Sequence, residues 1–128
     1  MIKVQVFYEA PTSTLSYLVY DEISKDAVII DPILNFNADK DLVSEESYQE
    51  MKSFIDAKSL KPSLSFETHI HADHISSFQR LKRDYPSIKS CINDNVTIVQ
   101  ETFAKKLDLD FKADGSQFDI LFLSLIHI

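Results

Sequence analysis

The chain has 128 residues, of which 45% are hydrophobic, and this is enough for one domain with a hydrophobic core. Its 20 acidic and 13 basic residues give a net charge of −7 with no basic stripe, so we expect no nucleic-acid partner. The single cysteine, Cys91, cannot form an internal disulfide, and the sequence has neither a secretion signal nor an apolar run of about 20 residues. We therefore expect a cytoplasmic protein with no membrane partner.

The predicted elements follow an α/β pattern along the chain. Alternating or apolar runs at residues 3–8, 15–20 and 27–30 predict three strands of an antiparallel meander. Asp41 or Ser44 is the predicted cap of a helix whose apolar positions run from Tyr48 to Ile55, with Leu60 as a further candidate. Beyond it we predict a strand that leads into the histidines. After the histidines we predict a helix from Ser76 or Ser77 to about residue 85, a strand that ends near residue 92 and a helix that ends near residue 107. The result is a mostly antiparallel sheet with packed helices.

The last six residues do not fit this pattern. Residues 123–128 form an apolar run without a cap, turn or charge, and they resemble translated adapter sequence. We expect a partial domain over residues 1–122 and a non-native tail over 123–128, with a native terminal strand as the alternative. His127 lies in that tail and is not assigned to a site.

Three histidines and an aspartate fall within six positions directly after a predicted strand: His69, His71, Asp73 and His74. Residues i and i+2 of an extended segment point the same way, so His69 and His71 can face one metal ion, while the following turn brings the other two to an adjacent position. Imidazole and carboxylate donors suit zinc, iron or manganese. The alternative is a polar turn that caps the helix beginning near Ile75, and four donors at this spacing favour the metal site.

The motif at residues 68–74, THIHADH, resembles the metal loop of the metallo-β-lactamase superfamily. This resemblance implies the N-terminal half of an αββα sandwich. Residues 7–9, 15–21, 27–34, 67–76 and 99–103 are similar to a narrower branch, the persulfide dioxygenases and their β-lactamase hydrolase-like relatives. That branch implies one non-haem Fe(II) ion and oxidation of glutathione persulfide by O₂ to sulfite.

The resemblance assigns the site residues in two ways. In the one-iron form, two histidines and one carboxylate hold the metal, and His69 matches the first of these histidines. The second histidine and the carboxylate have no counterpart after His74 outside the tail. His71, Asp73 and His74 then orient the ligands. In the alternative, a binuclear Zn(II) hydrolase of thioesters like glyoxalase II, all four are metal ligands and Asp73 is catalytic because it helps to hold the second zinc.

Asp31 could accept a hydrogen bond from a histidine or a backbone amide of the metal loop, and a turn aspartate before Pro32 is the equal alternative. Cys91 lies between Ile88 and Ile92 and is predicted to be a buried apolar residue, not a persulfide carrier. The implied partner is a small-molecule thiol or persulfide. For these 128 residues alone we expect weak metal binding or none, and no turnover. A homodimer and a following sulfurtransferase domain stay open for a longer form.

Overall fold

The computed structural model describes residues 1–69, 75–108, 110 and 112–122. Within them, strands and helices alternate in the order β1 (Ile2–Glu9), β2 (Thr14–Asp21), β3 (Asp26–Ile30), β4 (Ile33–Asn37), β5 (Leu42–Ser44), α1 (Glu46–Ala57), β6 (Lys61–Phe66), β7 (Ile75–Ser76), α2 (Phe78–Asp84), β8 (Lys89–Asn93), α3 (Val96–Leu107) and β9 (Ile120–Phe122). The predicted α/β fold is confirmed. None of the described helices is long and apolar enough to cross a membrane.

The main sheet has six strands in the order β1-β2-β3-β6-β8-β9. The predicted meander is present, because β1, β2 and β3 pair antiparallel. From β3 onwards the neighbours pair parallel, so this sheet is mixed and its parallel part was not foreseen as such. The carboxyl ends of β3, β6 and β8 consequently meet at one edge, which is where ligands bind in sheets of this kind.

A second, three-stranded antiparallel sheet has the order β5-β4-β7 and was not predicted from the sequence. Its strands have two to five residues and no regular alternation of apolar side chains. The pairing is still informative, because Ile33 faces Ser76 and Leu34 faces Ile75. The chain directly after the histidine motif is thereby joined to the chain directly after Asp31.

The core lies between the main sheet and α1. Leu18 and Ile29 of the sheet and Ile55 of α1 are fully buried in one apolar cluster, and Phe7 meets Phe54 of the helix edge to face. The spacing of apolar residues in α1 therefore predicted its buried face correctly.

The ends of α1 differ from the prediction. Glu45 occupies the N-cap position, so the predicted caps Asp41 and Ser44 are wrong. Ser44 belongs to β5, whose pairing with β4 delays the start of the helix. Leu60 lies beyond the C-cap Lys58 and joins the core from outside the helix.

The face of the main sheet opposite α1 is apolar and exposed to solvent at β1 and β2. The side chains of Ile2, Val4, Val6 and Tyr8 are 46–66% exposed, and Leu15, which is paired with Tyr8, is 43% exposed. No described helix covers this face at β1, in contrast to the α1 side. The described part of the chain thus has one solvent-exposed apolar sheet surface.

Candidate metal centre

Asp31 occupies a special backbone position at the end of β3. Its φ of 51° lies in the left-handed region, which aspartate and asparagine tolerate better than most residues. The Asp31 amide donates to the carbonyl of Phe66 at 2.8 Å, and its own carbonyl accepts from Ser16 Oγ at 2.6 Å. These two bonds fix the buried Asp31 at the edge where β3 and β6 end.

The carboxylate of Asp31 binds the first residue of the histidine motif twice. Thr68 donates its backbone amide to Oδ1 and its hydroxyl to Oδ2, both at 2.8 Å. One residue therefore engages both carboxylate oxygens, so the position and the side-chain rotamer of Thr68 are fixed together. The turn alternative for Asp31 is also realised, since its left-handed φ redirects the chain before Pro32.

The hydroxyl of Thr68, which Asp31 holds in place, also contacts the ring of His69. Thr68 Oγ1 and His69 Nδ1 are 2.9 Å apart. A hydroxyl has one proton, and the carboxylate of Asp31 can only accept, so the threonine proton goes to Asp31 and His69 Nδ1 is the donor to Thr68. Neutral His69 then carries its proton on Nδ1, and Nε2 has the lone pair that a metal ion requires.

A second connection joins the two ends of the motif. The buried Glu67 donates its amide to the carbonyl of Cys91 at 2.9 Å, and its Oε1 accepts a hydrogen bond from Ser76 Oγ. From the sequence, Ser76 is only a candidate start of a helix, and Glu67 has no predicted role. The available signal was the position of an acidic residue directly before the histidine motif.

The other predicted site residues divide between described and undescribed positions. His71, Asp73 and His74, and the tail with His127, lie outside the described residues, so their roles stay predictions. Within the described ranges, no group of three or more His, Cys, Asp or Glu side chains is arranged to hold a metal ion. What the structure does bring together is Asp31 and His69, through Thr68.

Cys91 is fully buried, as predicted. Burial, together with the charge of Asp119, raises the pKa of its thiol. A thiol with a raised pKa is a poor nucleophile at neutral pH, so the structure gives Cys91 a packing role beside the site.

Comparisons with known sequences and solved structures define the class of protein. No protein-family model matches the chain. It is 38% identical to glyoxylase B2 of Dictyostelium discoideum over 122 residues, which are 94% of this chain and 42% of that protein. It is 28% identical to the mitochondrial persulfide dioxygenase ETHE1 of Bos taurus over 92 residues, which are 72% of this chain and 32% of that protein.

Among solved structures, the BLEG-1 B3 metallo-β-lactamase superposes with a TM-score of 0.62. The match has 17% identity and covers 95% of this chain and 54% of that one, so it shows the fold. The chain belongs to the metallo-β-lactamase superfamily. Its relatives include β-lactamase hydrolase-like proteins and persulfide dioxygenases, the branch that the motifs resemble. It spans less than half the length of these relatives.

Proposed function

We propose that this chain supplies the ligands on one side of the metal centre of a metal-dependent enzyme, that His69 binds the metal through Nε2, and that these residues alone bind a metal ion weakly. The observation that carries the proposal is the hydrogen-bonded series from Asp31 through Thr68 to His69 Nδ1. A carboxylate that acts on a histidine in this way fixes its tautomer and ring orientation and raises its basicity as a ligand. His69 is thus the one described donor of the proposed site, and His71, Asp73 and His74 complete this side of the site either as further donors or as groups that orient the ligands.

The function we propose first is that of a non-haem iron persulfide dioxygenase. The similarity to a protein named persulfide dioxygenase supports it, as does the set of imidazole and carboxylate donors. Bound Fe(II) would offer open positions for O₂ and for a substrate sulfur. In this form His71, Asp73 and His74 orient the ligands, and the substrate is a small-molecule thiol or persulfide such as glutathione persulfide.

The second candidate is a binuclear zinc hydrolase of thioesters. The 38% identity to a protein named glyoxylase B2 favours it. Bound Zn(II) would supply a hydroxide nucleophile at neutral pH. Here His69, His71, Asp73 and His74 are all proposed metal ligands, and Asp73 is the proposed catalytic residue because it helps to hold the second metal.

Metal titration tests the proposal and separates the candidates. The purified chain is titrated with Fe(II) without oxygen and, separately, with Zn(II), and bound metal is counted by elemental analysis. One iron per chain supports the dioxygenase, and two zinc ions support the hydrolase. Oxygen consumption with glutathione persulfide and thioester cleavage are then measured on a longer form that supplies the remaining ligands, because no turnover is expected of these residues alone.

Two variants make the titration decisive. His69→Ala should weaken binding at least tenfold, because it removes the ligand whose orientation Asp31 and Thr68 set. His127→Ala is the matched control, since it removes a histidine of the tail. Equal binding by His69→Ala and the parent chain, or no binding of either metal by the parent chain, would overturn the proposed metal site.

A further inference from the structure

A buried acidic side chain lies at the start of the motif and is not used in the proposed ligation by His69. Glu67 follows the last residue of β6 and is only 7% exposed. Its amide is bonded to the carbonyl of Cys91 on β8, so its backbone belongs to the sheet. Removing a carboxylate from water is costly unless hydrogen bonds compensate, so the contacts of Glu67 have structural consequences.

One of these contacts reaches the far end of the motif. Ser76 Oγ donates to Glu67 Oε1 across nine sequence positions. The same Ser76 hydroxyl accepts the amide of Phe78 at 3.2 Å, at the start of α2. Its backbone pairs with Ile33 in the small sheet. Ser76 is therefore held by the small sheet and by α2, and Glu67 connects it to the main sheet.

We infer that Glu67 and Ser76 form a clamp at the base of the metal loop, residues 68–75, and that Glu67 is a positioning residue for the metal ligands. The two side chains join the point where the chain leaves β6 to the point where it enters β7. Fixing both ends of a segment reduces the conformations available to it and helps to pre-order the described ligand His69 at its start. The clamp is read from described contacts, while its role toward a metal rests on the proposed function.

A purely structural role would give a different result from a clamp. A buried hydrogen bond that only supports the fold would, when removed, loosen the whole sheet. A clamp, in contrast, affects the two ends of the loop first, namely the amides of Thr68 and Ser77, which bond to Asp31 and to the carbonyl of Pro32. Amide hydrogen exchange resolves these two cases residue by residue.

The experiment compares three variants of the chain with the parent. Ser76→Ala removes the donor. Glu67→Gln keeps an oxygen acceptor of the same shape and serves as the conservative rescue. Ser65→Ala is the control, because Ser65 is a buried serine two residues before Glu67, and its hydroxyl has no partner within the described part of the chain.

With Ser76→Ala, exchange at the Thr68 and Ser77 amides should quicken about tenfold, the size expected from the loss of one hydrogen bond. The amides within β6 should keep their rates, as should every amide in Ser65→Ala. Glu67→Gln should stay within about threefold of the parent at both loop ends. The clamp is refuted if Ser76→Ala leaves both rates unchanged, quickens the sheet equally, or behaves like Ser65→Ala.

A cobalt titration of the same proteins tests the role toward the metal. Co(II) is the probe because its visible spectrum reports ligand geometry, and Ser76→Ala should raise its Kd about tenfold with an altered spectrum. If the parent chain binds no Co(II), the proposed metal site fails and the clamp is judged on exchange alone. If Co(II) binds equally to both proteins, Glu67 is not a positioning residue.

Discussion

Replacing Asp31 by asparagine isolates the chemistry of the carboxylate from its shape. Asparagine tolerates the left-handed φ of 51° at this position, so the backbone should keep its course. Its side-chain oxygen can still accept the Thr68 amide in place of Oδ1. Its NH₂ group, however, stands where Oδ2 accepted the threonine hydroxyl at 2.8 Å.

This exchange should reverse the hydrogen bond to His69. The asparagine NH₂ group donates to Thr68 Oγ1, so the threonine proton turns towards His69 Nδ1, 2.9 Å away. His69 then carries its proton on Nε2, the nitrogen proposed to bind the metal. Loss of such a supporting carboxylate costs about 10- to 100-fold in metal affinity, or about 1.4–2.8 kcal/mol.

Two measurements check the prediction. Nitrogen-15 NMR of the imidazole ring at alkaline pH reports which nitrogen of neutral His69 is protonated, and calorimetric titration with Zn(II) gives the affinity. Asp119→Asn is the control, because the Asp119 carboxylate also accepts a hydrogen bond from a backbone amide. The donor is the amide of Ser90 on β8, at 2.8 Å. If Asp31→Asn leaves the Nδ1 proton in place, or binds Zn(II) as Asp119→Asn does, the argument from the hydroxyl proton is refuted.

Three further predictions concern the fold. Ile55→Ala should lower the free energy of unfolding by about 2–5 kcal/mol in urea titrations because Ile55 is fully buried, whereas Ile98→Ala, at a 63% exposed side chain, should change it by no more than about 0.5 kcal/mol. Val6→Lys, on the open sheet face, should reduce binding of the dye ANS and self-association; an unchanged dye signal would contradict an accessible apolar face. Arg83 lowers the pKa of Asp84 to about 2 from 3.8, so this carboxylate stabilises the fold above about pH 4, and the contribution is lost as pH falls towards 2. Asp84→Asn should therefore flatten the melting temperature against pH in that interval, and an unaltered curve would count against the ion pair.

The histidine motif was recognisable from sequence because its information is local. Four side chains of types that bind metals lie within six residues after a strand, and this is visible without any tertiary structure. The same is true of the apolar face of α1. The link from Asp31 to Thr68 was weighed only as one of two alternatives for Asp31. It spans 37 positions, and no local pattern distinguishes a turn aspartate from one that bonds a distant amide.

The parallel half of the main sheet and the small sheet also depend on pairings between distant strands, which local sequence patterns do not predict. A run such as residues 33–37 is too short and too polar to predict a strand, and it becomes one because Ile33 and Leu34 pair with the chain after the motif. Glu67 also looked like an ordinary charged residue. Only its burial, and the hydroxyl of Ser76, gave it a role.

The sequence by itself determined the class of this protein and the segment proposed to carry its metal chemistry, since both are properties of consecutive residues. The tertiary structure decided how that segment is held: which nitrogen of His69 has the lone pair, which carboxylate sets it, and what joins the two ends of the loop. These depend on atoms within about 3 Å of each other from strands far apart in the chain, and such distances exist only once β3, β6 and β7 have been brought together.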